Sequence, residues 1–366
     1  MIERRLPWLA VLLPLLTACS VGDIRRDPPA RTVPAGPSAA VSQTPGPPPT
    51  AVAVAETRRV QVAVPKGYDH PYVEFVDASH GYALFASCGD RPPGGDCPAL
   101  LYATTDGGRS WRKLRHPRPV ADNQQVYVAT GVLTLLSEPY GWWTSTDGGR
   151  TFRHTAGEAG PAEWRAAQGR FQIVETEGGV GRWDGDGLDR LPAQPRVRGL
   201  NTVDESRGLL VAAGAAGGLP YAAVSTDEGR SWRATPVPAP ASGDVGITRV
   251  EAAPDGELWL IGERPDRTGF PALWRWAGSW QPVRAEGHPE RASLPALLGG
   301  GRAAVVSSRG AGVVAGGRYT DVPWPVSPEH YLRVLDDGTL TAAAPHELLL
   351  ARPPFTTWTR VVLETA

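Results

Sequence analysis

The sequence predicts an all-β fold of seven repeated modules with about four strands each, and three observations carry that prediction. The octet TTDGGRSW at 104–111 recurs as STDGGRTF at 145–152 and STDEGRSW at 225–232. A bulky residue returns with a period near 40 at Trp111, Phe152, Leu191, Trp232, Trp280, Tyr319 and Trp358, in steps of 41, 39, 41, 48, 39 and 39 residues. Helical periodicity over ten or more residues is absent outside the N-terminus, whereas short apolar runs alternate with Asp/Gly turns. The spacing brackets the count between six and eight modules.

Each octet reads as strand, turn, strand. Asp106, Asp147 and Asp227 can accept backbone N–H bonds from the residues that follow and so close a tight turn. Gly108, Gly149 and Gly229 supply the backbone freedom that the turn needs. Trp111, Phe152 and Trp232 then re-enter a strand and bury a large ring. From Asp147 to Asp227 is a step of 80 residues, room for one degenerate copy, and RWDGDGLDR at 182–190 falls there. Its Asp184, Asp186 and Asp189 read either as a decayed hairpin turn or as a Ca²⁺ loop of alternating carboxylates.

The pattern S/T-x-D-x-G-x-x-W/F resembles the Asp-box, or bacterial neuraminidase, repeat. That resemblance implies a β-propeller whose octets occupy the outer turn of each blade, away from the central channel, with the Asp structural and not a general acid.

In chain order, Arg4 and Arg5 precede an apolar run, Leu6–Ala18, the layout of a secretory signal. It is too short for a spanning helix of roughly 20 residues, and Pro7 and Pro14 weaken it. Leu16-Thr17-Ala18-Cys19 resembles the bacterial lipobox, which implies cleavage after residue 18 and diacylation of Cys19, with an ordinary secretory signal as the alternative. Residues 19–55 are rich in Pro, Ala, Ser and Thr and read as a disordered tether. The propeller body is expected over 56–366. Within it, Tyr72–Asp77 with Gly81–Cys88, Leu200–Asp204 with Gly208–Ala213, and Tyr331–Asp336 with Gly338–Ala343 repeat strand, turn, strand. The extra length around Gly262–Pro271 accounts for the longest step. Thr57–Val64 and Thr357–Leu363 compete for the strand that closes the ring.

With Cys19 assigned to lipid, Cys88 and Cys97 flank GDRPPGGD, and export permits a disulfide between them. A zinc pair is the rival reading, without further His or Cys at ligand spacing.

The residues exclude more chemistry than they point to. A formal net charge of -1 and the lack of basic runs interleaved with aromatics argue against nucleic acid. Gly214–Gly218 and Gly299–Gly301 lack a following Lys-Ser/Thr and read as turns or bulges. The seven His residues are dispersed and no G-x-S-x-G elbow occurs, so serine and zinc hydrolases fall away. No cofactor or metal is expected. Sialidases, which also carry Asp boxes, clamp a carboxylate with three arginines beside a Tyr/Glu nucleophile pair. This chain is arginine-rich, with Lys66 and Lys113 its lysines, but the family's Phe/Tyr-Arg-Ile-Pro motif has no match, the nearest text being Arg58-Arg59-Val60. Glu74, Arg165, Glu251 and Arg333 are expected on innermost strands, where they could face the channel.

Octets with a Gly-Gly pair, preceded by turns such as Asp77-Ala-Ser-His-Gly81 and Asp204-Glu-Ser-Arg-Gly208, resemble the non-enzymatic propellers of photosystem II assembly factors and sortilin-type domains. The combined expectation is a monomeric lipoprotein at the outer surface of the cell membrane. Its lipid is its one contact with the bilayer, and its propeller binds an envelope protein, peptide or glycan without catalysis. An exported glycosidase of sialidase type is the alternative.

Overall fold

Seven sheets, antiparallel but for one parallel strand, make up the computed structural model, which describes residues 52–88, 97–157, 160–174, 178–185, 187–241 and 243–365. The leader, Cys19, the tether as far as residue 51, the insertion at 89–96 and Asp186 lie outside the described residues. The sheets are the blades of a β-propeller, and within each the chain order is the radial order, so the first strand lines the channel. Blade 1 comprises Tyr72–Phe75, Gly81–Ala86, Cys97–Thr104 and Arg112–Leu114, and blade 2 comprises Asn123–Ala129, Val132–Glu138, Gly141–Ser145 and Arg153–Thr155. Blade 3 holds Phe171–Ile173, Val180–Trp183 and Leu188–Arg190; blade 4 holds Leu200–Ser206, Leu209–Ala216, Leu219–Ser225 and Arg233–Thr235. Blade 5 is Ile247–Ala252, Leu258–Glu263, Ala272–Trp276 and Trp280–Pro282; blade 6 is Ala296–Gly299, Arg302–Ser307, Gly310–Ala315 and Arg318–Asp321. Blade 7 is Tyr331–Val334, Leu340–Ala344, Glu347–Ala351 and Trp358–Thr365. The seven bulky residues that set the period all stand in or beside the outermost strand of their blade, and Trp280, Tyr319 and Trp358 are buried there.

Two expectations are corrected. Arg165 is not on an innermost strand: it lies in the helix Ala162–Ala167, which takes the place in chain order of the first strand of blade 3. That blade therefore has three strands, and Leu188–Arg190 is its outer one, because Leu191 meets Gly229 of blade 4 as Leu114 of blade 1 meets Gly149 of blade 2. Nor do the two chain ends compete for ring closure. Trp358–Thr365 is the fourth strand of blade 7, and Val54–Val62 lies outside it as a fifth strand, paired in parallel. This strand begins two residues before the expected start of the body and straps three blades together. Val52 N–H donates to Pro323 O beyond blade 6 at 2.6 Å, the strand pairs with blade 7, and Val62 and Val64 enter an apolar cluster with Phe85 and Tyr102 of blade 1.

The turns after the first strands knit the blades near the channel. Asp337 of blade 7 accepts the Ala78 N–H of blade 1 at 3.0 Å, and Asp336 accepts the Thr130 hydroxyl of blade 2 at 2.6 Å. Asp255 of blade 5 accepts the Gly300 N–H of blade 6 at 2.6 Å.

Apolar clusters fill the spaces between blades. Leu84, Leu101 and Leu114 of blade 1 meet Val126, Val128, Leu133 and Leu135 of blade 2, and comparable clusters join 3 to 4, 4 to 5, 5 to 6, 6 to 7 and 7 to 1. A fully buried Leu contributes about 1.5–3 kcal/mol relative to exposure, so each seam is held by several such groups. The seam between blades 2 and 3 differs. Strand pairing puts Tyr127, Thr134, Thr144 and Arg153 on the flank of blade 2 opposite that apolar cluster. There Tyr127 packs against Trp142 and Trp164, the latter from the helix, and Arg153 pairs with Glu163. The hydroxyls of Thr134 and Thr144 are buried without a hydrogen-bond partner among the described residues.

Candidate binding face

Neighbouring antiparallel strands alternate in direction. In every four-stranded blade the first-to-second and third-to-fourth turns therefore share one side of the ring. The second-to-third turns and the blade-to-blade connections share the other.

The octets occupy the third-to-fourth turns, and their chemistry is uniform. Thr104, Ser145 and Ser225 each donate a hydroxyl to the octet Asp at 2.7–2.8 Å and accept the N–H of Gly108, Gly149 or Gly229 at 2.8 Å. The carboxylate also accepts the backbone N–H of Ser110, Thr151 or Ser231 at 2.9–3.0 Å and the hydroxyl of the same residue at 2.6–2.7 Å. These six hydroxyls were not singled out from the sequence, although their recurrence at the first and seventh octet positions was the available signal. Burial pushes the Asp106 carboxyl up, but the bonds from Ser110 and Thr104 outweigh it and hold the group at about 2. The Ser231 and Ser225 hydroxyls hold Asp227 at about 2, and the Thr151 N–H and hydroxyl hold Asp147 below the usual carboxylate range. Every donor and acceptor at these carboxylates is local, so they act as turn anchors.

The glycines serve the ring as well as the turn. Gly108, Gly149 and Gly229 have φ of 86°, 81° and 80°. A Cβ added to them would stand 2.9 Å from Val361, 2.4 Å from Leu114 and 2.4 Å from Leu191, each on or directly after the outer strand of the preceding blade. The degenerate copy in blade 3 keeps a hairpin in which Asp184 accepts the Gly187 N–H at 3.0 Å, but Gly187 has nothing within 4 Å of its Cβ position.

The opposite side carries the long segments: the connections 115–122, 156–170, 191–199, 236–246, 283–295 and 322–330, and the turn 264–271. Cys88 and Cys97 are disulfide-bonded across the second-to-third turn of blade 1, on this side. The six exposed large apolar residues among those described are Val120, Tyr140, Leu219, Ile247, Leu294 and Tyr331. All six belong to this side. Ile247 and Tyr331 are the first residues of the innermost strands of blades 5 and 7, and Leu294 precedes that of blade 6. Three consecutive blades thus present an apolar side chain at the channel mouth.

Ion pairs tie together some of the charged residues of the inner strands. Glu74 accepts the Tyr72 hydroxyl and pairs with Arg333 at 3.1 Å, joining blades 1 and 7, and Arg249 pairs with Glu263 at 2.5 Å. Burial pushes Asp204 up while it accepts the Glu205 and Ala252 N–H groups at 2.7 and 2.8 Å, and burial likewise pushes Glu251 up.

No protein-family profile and no curated protein matches the chain. Solved structures do. The chain is similar to YCF48 bound to a D1 peptide, with 14% identity over 85% of this chain and 86% of that one and a TM-score of 0.35. It is similar to the GH74 xyloglucanase from Xanthomonas campestris, with 15% identity, coverage of 80% and 60%, and a TM-score of 0.39. It is also similar to the Pyrococcus horikoshii acylaminoacyl peptidase, with 9% identity, coverage of 77% and 51%, and a TM-score of 0.46. By their own descriptions these proteins do different things, and at such distances none lends its ligand to this chain.

Proposed function

We propose that this chain is a lipid-anchored protein of the bacterial cell envelope whose propeller binds a protein or peptide partner on the side opposite the octets. The octets are read as structural Asp boxes, and Cys19 as the acylated residue. The observation that carries the binding reading is the placement on that one side of all six exposed large apolar side chains among the described residues. Scattered singly they would mean little; gathered where the long connections lie, they suit recognition on a rigid scaffold. The test compares cross-linking of the intact chain in envelope extract with that of Ile247→Glu/Tyr331→Glu. A partner held by the first and lost by the second is expected; cross-linking indifferent to these substitutions would sink the reading. The anchor is tested separately: Cys19→Ala should move the protein out of the membrane fraction, and retention there would count against acylation.

A second reading rests on Tyr72, Glu74 and Arg333, a Tyr/Glu pair with one guanidinium in the channel. It makes the protein a glycosidase of sialidase type. Turnover of a fluorogenic sialoside that Glu74→Gln abolishes would establish it over binding.

A further inference from the structure

Blade 7 replaces the octet with a different turn, Arg352-Pro353-Pro354-Phe355-Thr356-Thr357, between its third and fourth strands. Between this turn and the octet of blade 1 lies a cleft of 540 Å³, on the side away from the proposed partner face and within the range of small-molecule pockets. Thr339, Leu350 and Ala351, all buried, contribute to its lining.

Three arginines line it. The Arg58 side chain is 11% exposed and is held by the Gly107 carbonyl and by Glu56 at 2.6 Å. Its Nε–H is buried with no acceptor among the described residues. Arg109 shares Glu56 at 3.4 Å and is 59% exposed; Arg352 is exposed and makes no ion pair among the described residues. The lining carboxylate, Asp106, already accepts bonds at both oxygens from Thr104 and Ser110. Cationic groups therefore outnumber the acids that face them, and a buried guanidinium lacks one partner. Ser79, Thr356 and Thr357 add hydroxyls to the lining.

From this arrangement we propose that the cleft between blades 7 and 1 binds a carboxylate or phosphate group on a small hydroxyl-bearing ligand. Arg352 and Arg109 form the mouth, and the Arg58 guanidinium, held by Glu56 and the Gly107 carbonyl, adds positive charge from below. Guanidinium groups offer planar, paired donors that match both anions.

The test is isothermal titration of the full chain at low salt with sodium glucuronate and, separately, with inorganic phosphate. Saturable binding of at least one probe is expected, weakened at least tenfold in Arg109→Ala/Arg352→Ala and unchanged in Arg333→Ala. Binding of glucuronate alone assigns the site to a carboxylate ligand, and binding of phosphate alone to a phosphoester. Both substituted arginines are exposed, and thermal melting checks the fold; should the double variant melt early, Arg352→Ala, which breaks no ion pair, carries the comparison. Absence of saturable binding by either probe, or binding that these variants leave intact, overturns the proposal. Ile247→Glu/Tyr331→Glu should keep anion binding, so failure here and failure of the partner face are read independently.

Discussion

The seam between blades 1 and 2 and the seam between blades 2 and 3 flank the same sheet, yet they are built differently. On one flank of blade 2, Val126, Val128, Leu133 and Leu135 meet the leucines of blade 1, and Gly149 lets the octet press against Leu114. On the other, a Tyr, two Thr and an Arg face a six-residue helix, and the neighbouring hairpin has no glycine seated against blade 2. The difference teaches that a ring of similar repeats need not be uniformly strong. Where the octet decayed, the described residues show neither an apolar seam nor a fourth strand in blade 3.

Substitutions on the two flanks can break or sharpen this contrast. Leu135→Ala, at a fully buried position in the first seam, should cost about 2–5 kcal/mol in denaturant unfolding. A loss below ~1 kcal/mol would show that this seam does not carry the ring. Next comes a glycine pair. Gly149→Ala adds a Cβ at positive φ against Leu114 and should cost about 1–3 kcal/mol, whereas Gly187→Ala, in open space at ordinary φ, should stay within about 0.5 kcal/mol. Equal effects would remove the seating role given to Gly149.

Acid separates the octets from the rest. Asp106 and Asp227 are held at about 2, below the aspartate range of an unfolded chain near 4. Their contribution is therefore fully present above pH ~4 and disappears as pH falls towards ~2. The melting temperature should drop through that window, and less steeply in Asp227→Asn, whose stability should already be lower at neutral pH. Parallel pH profiles for the two proteins would count against the carboxylate as the turn anchor. The smallest effect has the opposite sign. Thr134→Val removes a buried hydroxyl that has no partner among the described residues and should stabilise by up to about 1 kcal/mol. A loss of stability there would mean that the hydroxyl is satisfied.

Much of the architecture was legible because the octets and bulky residues recur at a spacing that only a repeated blade explains. Even the decay at 182–190 could be read. The helix could not be, because AEWRAA spans too few residues to show a period, and it begins after a Pro that reads equally as a loop residue. Strand parity was also out of reach, since a one-residue slip reverses every side chain; the pairing of Glu74 with Arg333 emerged only from the coordinates. The arginine cleft joins residue 58 to residue 352, and no local pattern announces a contact of that separation.

The parallel pairing of Val54–Val62 with Trp358–Thr365 also sets the timing of assembly. Arg59 and Glu364, bonded at 2.8 Å, stand 305 residues apart, so the strand Val54–Val62 has no partner until six blades and three strands of the seventh have been made. A chain truncated before residue 358 would leave that strand with a bare edge, open to pairing with another copy.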